Sequence, residues 1–449
     1  MALKINKKLI LEIEKLIKIN NDEALLSLLA EEHPADIAEI IDILNLNDAT
    51  YLFKLLDSEQ TAEALMEIDE VDREKILKNL SVEEIADEID ELDTDDAADI
   101  IAELPHNRKS EVISEIEDDD HAKHIVDLLR YDEGTAGSLM AKELVKVKES
   151  WTVPTCVRKM RDQAQKVTRV HSIYVVDKND KLIGRLSLKD LLVASAKSKI
   201  ADIYIPKVDA VNVSDAIEDV ARIMQKYDLE AIPVIDNRNH LQGRITIDDI
   251  VDIIKEEAEK DYQMAAGLTD DVEADDSILE LTKARLPWLV LGLFGGLGAA
   301  SIMGGFEDAL TSFPQLFYFT PLIAAMAGNV GVQSSAIIVQ GLANDNIKGS
   351  MFHRMLKEIG LSLVNGLILA ALIFVFGYFL NYHINISITI AISLVIVIII
   401  AALIGTFVPL ILNKKGIDPA VATGPFITTS NDIFGIFVFF YIAKLILGF

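Results

Sequence analysis

Apolar residues recur with three different periods along the chain, and the changes of period mark its parts. Up to about residue 130, short segments such as ADIAEIIDIL, ATYLFKLL, TAEALMEI, REKILKNL, VEEIADEIDEL and DDAADIIAEL place apolar residues three and four apart. These segments return about every twelve residues. Each predicts a short amphipathic helix, and the repetition predicts stacked helices in a curled array. Asp57, Ser81 and Asp93 stand where helix N-caps are expected. The acidic faces between them, including Glu63, Asp95, Asp96 and Asp99, read first as solvated helix surface.

The period then shortens. IYVVDKNDKLIGRLSLKDLL, from Ile173, aligns with IPVIDNRNHLQGRITIDDIV, from Ile232, at a constant offset of 59 residues. Turn aspartates (Asp177, Asp236), Gly-Arg pairs (Gly184-Arg185, Gly243-Arg244) and helix-opening aspartates (Asp190, Asp249) all coincide. Each copy predicts strand, polar turn, strand, then helix. The pair resembles tandem CBS modules over about Leu139 to Glu257. In that family a Ser/Thr-x-x-Asp at the strand-to-helix junction often holds a nucleotide's ribose, a pattern that Ser187 to Asp190 and Thr246 to Asp249 both fit. Two readings stand: a ribose contact, with Ser187, Lys189 and Asp190 holding ATP as the possible ligand, or simple N-capping.

Beyond Leu286 the pattern becomes continuously apolar. Five spans, about Pro287 to Gly305, Leu316 to Ala343, Ile359 to Leu380, Ile384 to Leu412 and Phe426 to Leu447, approach or exceed the ~20 residues that a helix needs to cross a bilayer. Lys348, Arg354 and Lys357 lie between spans two and three, and Lys414 and Lys415 between four and five. The other two loops contain no Lys or Arg, while Lys283 and Arg285 precede the first span. The positive loops thus fall on the side of the N-terminal domains, which predicts a cytoplasmic N-terminus and an extracytoplasmic C-terminus in the cell membrane. MALKINKKLILEIEKLIKIN, with charges throughout, reads as an amphipathic helix rather than a signal peptide.

Charge sharpens this division. Six acidic and six basic residues cancel beyond Leu286, so the whole net charge of −29 falls on the first 286 residues. Such a surface repels nucleic acid and attracts cations. A single cysteine, Cys156, excludes an intrachain disulfide framework. After the second repeat, Asp249, Asp252, Glu256, Glu257, Glu259 and Asp261 crowd a predicted helix against only Lys255 and Lys260, and the acidic stretch is expected to run directly into the first span. Like charges one turn apart oppose a helix unless cations neutralise them.

The spans carry their own chemistry. Asp432, in TTSNDIFG, is the only carboxylate of the last span. A bare charge there costs at least about 2.5 kcal/mol, so it should face a cation, a partner or water. PLIAAMAGNVGVQSSA in span two supplies Gly328 and Gly331 for close packing and Asn329, Gln333 and Ser334 as neutral oxygens. GIDPAVATGPFITTSNDIFG adds Asp418, Pro419, Pro425, Thr428, Thr429 and Asn431. Oxygen donors without sulfur or imidazole suit a hard cation. Glycine-rich seams commonly serve packing alone, and the carboxylate beside this one turns the reading toward an ion path lined by Asn329, Gln333, Thr428 and Asn431.

Taken with the domain order, AMAGNVGVQ and GIDPAVATGPFITTSND resemble the MgtE magnesium channels over nearly the whole chain. The resemblance implies a multidomain fold: an all-α helical domain (1-130), an α+β tandem CBS pair (131-257, as 139-200 and 201-257), an acidic connecting or plug helix (258-286) and a five-helix transmembrane domain (287-449). It also implies a homodimer in the lipid membrane with a pore between spans two and five of both copies. Asp432 would hold a hydrated Mg²⁺ on the two-fold axis, and Asp418 would stand at the cytoplasmic mouth. The positions matching the family's regulatory Mg²⁺ sites are Glu63, Asp95, Asp99, Glu218, Asp228, Asp249, Asp252 and Glu257, with a backbone oxygen from Ser138. Ala216 and Lys260 depart from acids there. Nucleotide would tune Mg²⁺ affinity. The implied activity is Mg²⁺ import closed by cytosolic Mg²⁺. A proton-coupled divalent cation transporter and a CBS-regulated membrane enzyme remain alternatives, the latter without any nucleophile-base pair in the spans.

Overall fold

The computed structural model describes residues 5–449 except 166, 168, 270, 271, 273–275, 344–346, 348, 349 and 423, with the side chains of 310 and 422 also outside the description. Lys348 and the acids at 270, 271, 273 and 275 therefore lie outside the described residues. Two compact units meet between Ile254 and Lys255.

The first unit opens with ten helices: α1 (Lys7–Lys18), α2 (Asp22–Leu29), α3 (Pro34–Ile43), α4 (Leu46–Leu55), α5 (Ser58–Glu67), α6 (Glu70–Asn79), α7 (Val82–Glu91), α8 (Thr94–Glu103), α9 (His106–Glu115) and α10 (Asp119–Leu128). The twelve-residue repeat has a simple local cause. From α3 to α8 each helix ends on an apolar residue in extended backbone, Leu44, Leu56, Ile68, Leu80, Leu92 and Leu104, and all six are buried. The next residue starts another helix, usually with a polar cap: Asp57 accepts from the Glu59 amide, and Ser81 forms a capping box with Glu84. Helices therefore pack on every second neighbour, α3 on α5, α5 on α7 and α7 on α9, in a two-layered array.

Two small sheets follow. β1 (Val145–Lys148), α11 (Val153–Ala164), β2 (Ile173–Val176), β3 (Leu182–Leu186), α12 (Leu188–Val193) and β4 (Ile205–Pro206) form the first module. β5 (Val211–Asn212), α13 (Ile217–Tyr227), β6 (Ala231–Ile235), β7 (Leu241–Thr246) and α14 (Ile247–Ala266) form the second. β1 runs parallel to β2 and β2 antiparallel to β3, which β5, β6 and β7 repeat. Asp177 accepts from the amides of Asn179 and Lys181, and Asp236 from those of Arg238 and His240, so the repeat extends to hydrogen bonds. The cores are unequal. The first module has its own, around Val147, Cys156 and Val175, whereas Val220, Ile232, Val234, Ile245 and Ile250 of the second join the core of the helical array.

α14 does not run on into the membrane segment as expected. It ends at Ala266, where Gly267 takes a φ of +86°, a conformation that glycine adopts without a Cβ penalty. The second unit then has five helices long and apolar enough to cross a membrane: α15 (Ile278–Gly304), α17 (Pro314–Ala343), α18 (Met351–Phe379), α19 (Ile384–Lys414) and α20 (Gly424–Leu447), with a short α16 (Glu307–Ser312) after the first. α19 is the centre of this bundle, packing on α17, α18 and α20, and α15 lies at its edge against α20.

Candidate functional site

α17 and α20 meet through residues too small to hold them apart. A Cβ built at Gly328 would lie 3.2 Å from the Thr428 methyl and 3.6 Å from Oδ1 of Asp432. Asp432 and Thr428 are half-buried at this seam, and the Thr428 hydroxyl donates back to the Gly424 carbonyl at 3.0 Å. Asn329 and Gln333, one turn apart on α17, are exposed. Asn431 differs from expectation. It is 1 % exposed, wedged against Gly331, and neither amide atom has a hydrogen-bond partner among the described residues. One residue is about 100° around a helix, so the turn that leaves Asp432 beside Gly328 drives Asn431 into the bundle.

Asp418 is exposed in the turn before α20, where its Oδ1 accepts from the Ala420 amide at 2.8 Å. Burial, and next the charge of Asp418, raise the pKa of Asp261 on α14. The nearness of Asp261 to Asp418 was not legible in the sequence, because nothing local links residues so distant in the chain.

In the first unit the structure gathers three of the expected acids around one cavity of about 340 Å³, lined by Glu63, Asp95 and Asp249 together with Glu67, Glu91, Asp93, Asp96 and Asp248. Two of these acids, Asp93 and Asp95, bring one carboxylate oxygen each within 4.8 Å of one another and of one from Glu143. Asp95 is 8 % exposed and its Oδ1 has no hydrogen-bond partner among the described residues. Desolvation, reinforced by Asp96 and Asp249, raises the Asp95 pKa well above the carboxylate range, and burial beside Asp249 lifts Asp96 to about 7. Uncompensated buried carboxylates take up protons or cations. Two guanidiniums line the cavity, those of Arg169 and Arg244, and Arg244 Nη2 donates to Asp93 Oδ2 at 3.0 Å. Glu143 accepts from the Thr94 amide and hydroxyl at 3.1 and 2.8 Å.

Asp93 occupies the N-cap position of α8 yet makes no capping bond. Its carboxylate turns to Arg244 instead, which is why a local capping rule missed its role. The other expected ligands are not among the residues lining this cavity, although the charge of Asp99 adds to the raised pKa of Asp96. Asp99 on α8, Glu218 on the first turn of α13, Asp228 at its left-handed end and Asp252 and Glu257 on α14 are all exposed. Ser138 is half-buried and its hydroxyl donates to the Thr135 carbonyl.

The two Ser/Thr-x-x-Asp junctions have diverged. Thr246 donates both its amide and its hydroxyl to Asp249 Oδ2, at 3.0 and 2.6 Å, and faces the acidic cavity. Ser187 makes no capping bond; with Lys189 and Asp190 it lines a cavity of about 440 Å³ that also includes His171 and Arg185. Among the described residues, this first junction combines a hydroxyl without a capping bond with cationic neighbours.

Comparison with known proteins agrees with this division. Residues 32–134 match the MgtE intracellular N domain, 136–197 and 200–256 match CBS domains, and 320–442 match a divalent cation transporter family. Magnesium transporter MgtE of Enterococcus faecalis is 36 % identical over 322 residues, 72 % of this chain and 71 % of that protein. Its namesakes from Bacillus subtilis and Thermus thermophilus are 32 and 33 % identical over 70 and 71 % of this chain and 70 and 72 % of their own. The soluble part of a magnesium transporter superposes on 56 % of this chain and 99 % of its own with a TM-score of 0.51 at 30 % identity. The cytosolic domain of the Mg²⁺ channel MgtE in complex with ATP superposes on 54 % of this chain and 99 % of its own, with the same TM-score at 31 % identity. With three matched segments in one order and more than two thirds of a full-length relative covered, the chain belongs to the MgtE family of magnesium transporters.

Proposed function

We propose that the chain is a Mg²⁺ channel of the cell membrane that opens when cytosolic Mg²⁺ is scarce. The observation that carries this reading is the seam at Gly328, where α17 and α20 present Asp432 beside Thr428, with Asn329 and Gln333 exposed on α17. Polar side chains facing hydrocarbon are costly, so this side of a single chain is best covered by a second copy, with the ion path between them. Mg²⁺ gives up water reluctantly and needs only one or two carboxylates; one Asp432 from each copy suffices for a hydrated ion. Exposed apolar residues on α12 (Leu188, Leu192, Val193) and α14 (Val251, Ile254) favour a homodimer in the soluble part as well. The loop charges orient the N-terminus toward the cytoplasm.

Gating follows from the acids of the first unit. The cavity acids Asp93, Asp95 and Asp249, with Glu143 beside the first two, are stable with cations among them and self-repelling without them. Asp99, Glu218, Asp228, Asp252, Glu257 and the Ser138 carbonyl are further candidates for bridging ions as parts move together, and Asp418 is the candidate for the mouth. ATP at Ser187, Lys189 and Asp190 is supported by the Ser187 hydroxyl, which makes no capping bond, and by Arg185. In proteoliposomes, Asp432→Ala and Asp432→Asn are expected to abolish Mg²⁺ influx while the protein still elutes as a dimer. Unimpaired flux in both variants would remove Asp432 from the path.

A further inference from the structure

Arg285, Trp288, Leu289, Gly292 and Gly296 form one stripe along α15 at the end where it enters the membrane. The first four line a cavity of about 740 Å³ whose other wall is Ala265, Ala266, Gly267 and Leu268 from the end of α14 and Gly424, Pro425, Thr428 and Thr429 from the start of α20. Three features of this cavity call for a ligand. The indole Nε1 of Trp288 is buried and has no acceptor among the described residues. Arg285 supplies an exposed cation at the rim. Farther into the membrane the floor is bare, because a Cβ at Gly292 or Gly296 would meet nothing within 4 Å, whereas one at Gly295, on the neighbouring face, would run into the Thr429 methyl.

We infer that this cavity is a phospholipid site. The phosphate diester sits at the exposed Arg285 guanidinium beside the Trp288 indole, and one acyl chain lies over the bare surface of Gly292 and Gly296. The chemistry divides along the stripe as a phospholipid divides. Arg and Trp belong at the headgroup level, a phosphate oxygen pairs with the guanidinium, and a methylene chain covers helix surface that has no side chains. The occupant would stand beside the junction of α14 with α20, so the lipid becomes a structural part of the joint next to the ion path. This goes beyond the transport reading, and its test does not depend on ion flux.

Trp288 is itself the reporter, since Trp151 is the only other tryptophan and can be replaced by Phe. The Trp151→Phe full-length chain is reconstituted in digalactosyl diacylglycerol vesicles carrying a small fraction of phosphatidylglycerol with dibrominated acyl chains. Quenching of Trp288 should follow the brominated phospholipid at about tenfold lower mole fraction than it follows a dibrominated galactolipid, the preference worth about one charge-assisted contact. Arg285→Gln should remove the preference. Gly292→Leu, which keeps every charge, should reduce quenching by both lipids while leaving the protein folded by its elution. Equal quenching by the two lipids in the parent would overturn the site, as it would if a second copy filled the cavity. A preference that survives Gly292→Leu unchanged would reduce the effect to headgroup attraction at the rim, and displacement by inorganic phosphate would reassign the cavity to a soluble anion.

Discussion

The backbone of Gly424 lies directly against the carbonyl oxygen of Ala265, so the last turn of α14 touches the first turn of α20 with no side chain between them. Gly267 repeats this against the ring of Pro425. Asp432 stands eight residues beyond Gly424 on the same helix, about 12 Å along its axis. A shift of α14 is therefore delivered to the helix that carries the carboxylate. Gly424 has a φ of +44°, which costs an L-residue about 1–2 kcal/mol, and its neighbour here is backbone that cannot swing away. Gly424→Ala should insert into membranes but separate the two helices. The internal Mg²⁺ concentration that halves influx into proteoliposomes is expected to rise severalfold, and an unshifted inhibition curve would show that the contact transmits nothing.

The acidic cavity makes a prediction of opposite sign for charge removal. Asp95 is buried, its Oδ1 has no hydrogen-bond partner among the described residues, and Asp93 and Glu143 crowd it. Millimolar Mg²⁺ should protect the segment from Ala30 to Glu143 against protease in the parent protein. Asp95→Asn keeps the shape and removes the charge that requires a cation, so it should be protected even in chelator. Digestion of the parent at one rate with and without Mg²⁺ would defeat the gating account, and an Asn variant as sensitive as the parent in chelator would move the critical charge elsewhere.

Sequence periodicity disclosed the parts of this protein well because each part repeats a local rule. The buried Leu or Ile that ends a helix and the polar residue that starts the next recur every twelve residues, and Asp177 and Asp236 cap identical turns. What the sequence hid was every relation between distant segments. Asp93 looked like an N-cap because Arg244, its actual partner, lies 151 residues away. Asn431 looked like a companion of Asp432 because adjacency in sequence conceals a 100° turn. The fusion of the second module's core with the helical array, with Val220 and Ile245 in one cluster with Leu104, Val112 and Ile125, is something no period encodes.

Glu88 predicts a pH dependence of the helical array. It is 7 % exposed on α7, where the Thr61 hydroxyl donates to both its oxygens at 2.9 Å. Burial raises its pKa from 4.5 to about 8, with Asp87, Glu91 and Asp57 adding to the effect. Because the folded value exceeds the unfolded one, the stability from neutral Glu88 is complete below pH 4.5. It declines as pH rises and is lost once pH passes about 8. Glu88→Gln keeps an acceptor for Thr61 without the charge. It should match the parent near pH 4.5 and exceed it at pH 8 by about 2–4 kcal/mol, read as slower amide exchange in α5 and α7. Equal exchange in the two proteins at pH 8 would mean that Glu88 ionises without cost.

The last relationship concerns a second carboxylate in the membrane unit. Ser334 of α17, 5 % exposed, donates its hydroxyl to Oε1 of Glu358 on α18 at 2.6 Å. Ser334 lies one residue from Gln333 and a turn and a half from Gly328, so the bond fixes how α17 is rotated at the seam with Asp432. A hydroxyl left buried without its acceptor costs about 1–3 kcal/mol, enough to let the helix turn. Glu358→Ala should therefore lower Mg²⁺ influx roughly tenfold, and Glu358→Gln, which still accepts from Ser334, should restore most of it. A positioning bond and an ion ligand give different results in this pair. If Glu358→Gln loses as much flux as Glu358→Ala, the charge itself serves the ion, and if neither variant changes flux, the rotation of α17 is set by Gly331 packed against Gly405 alone.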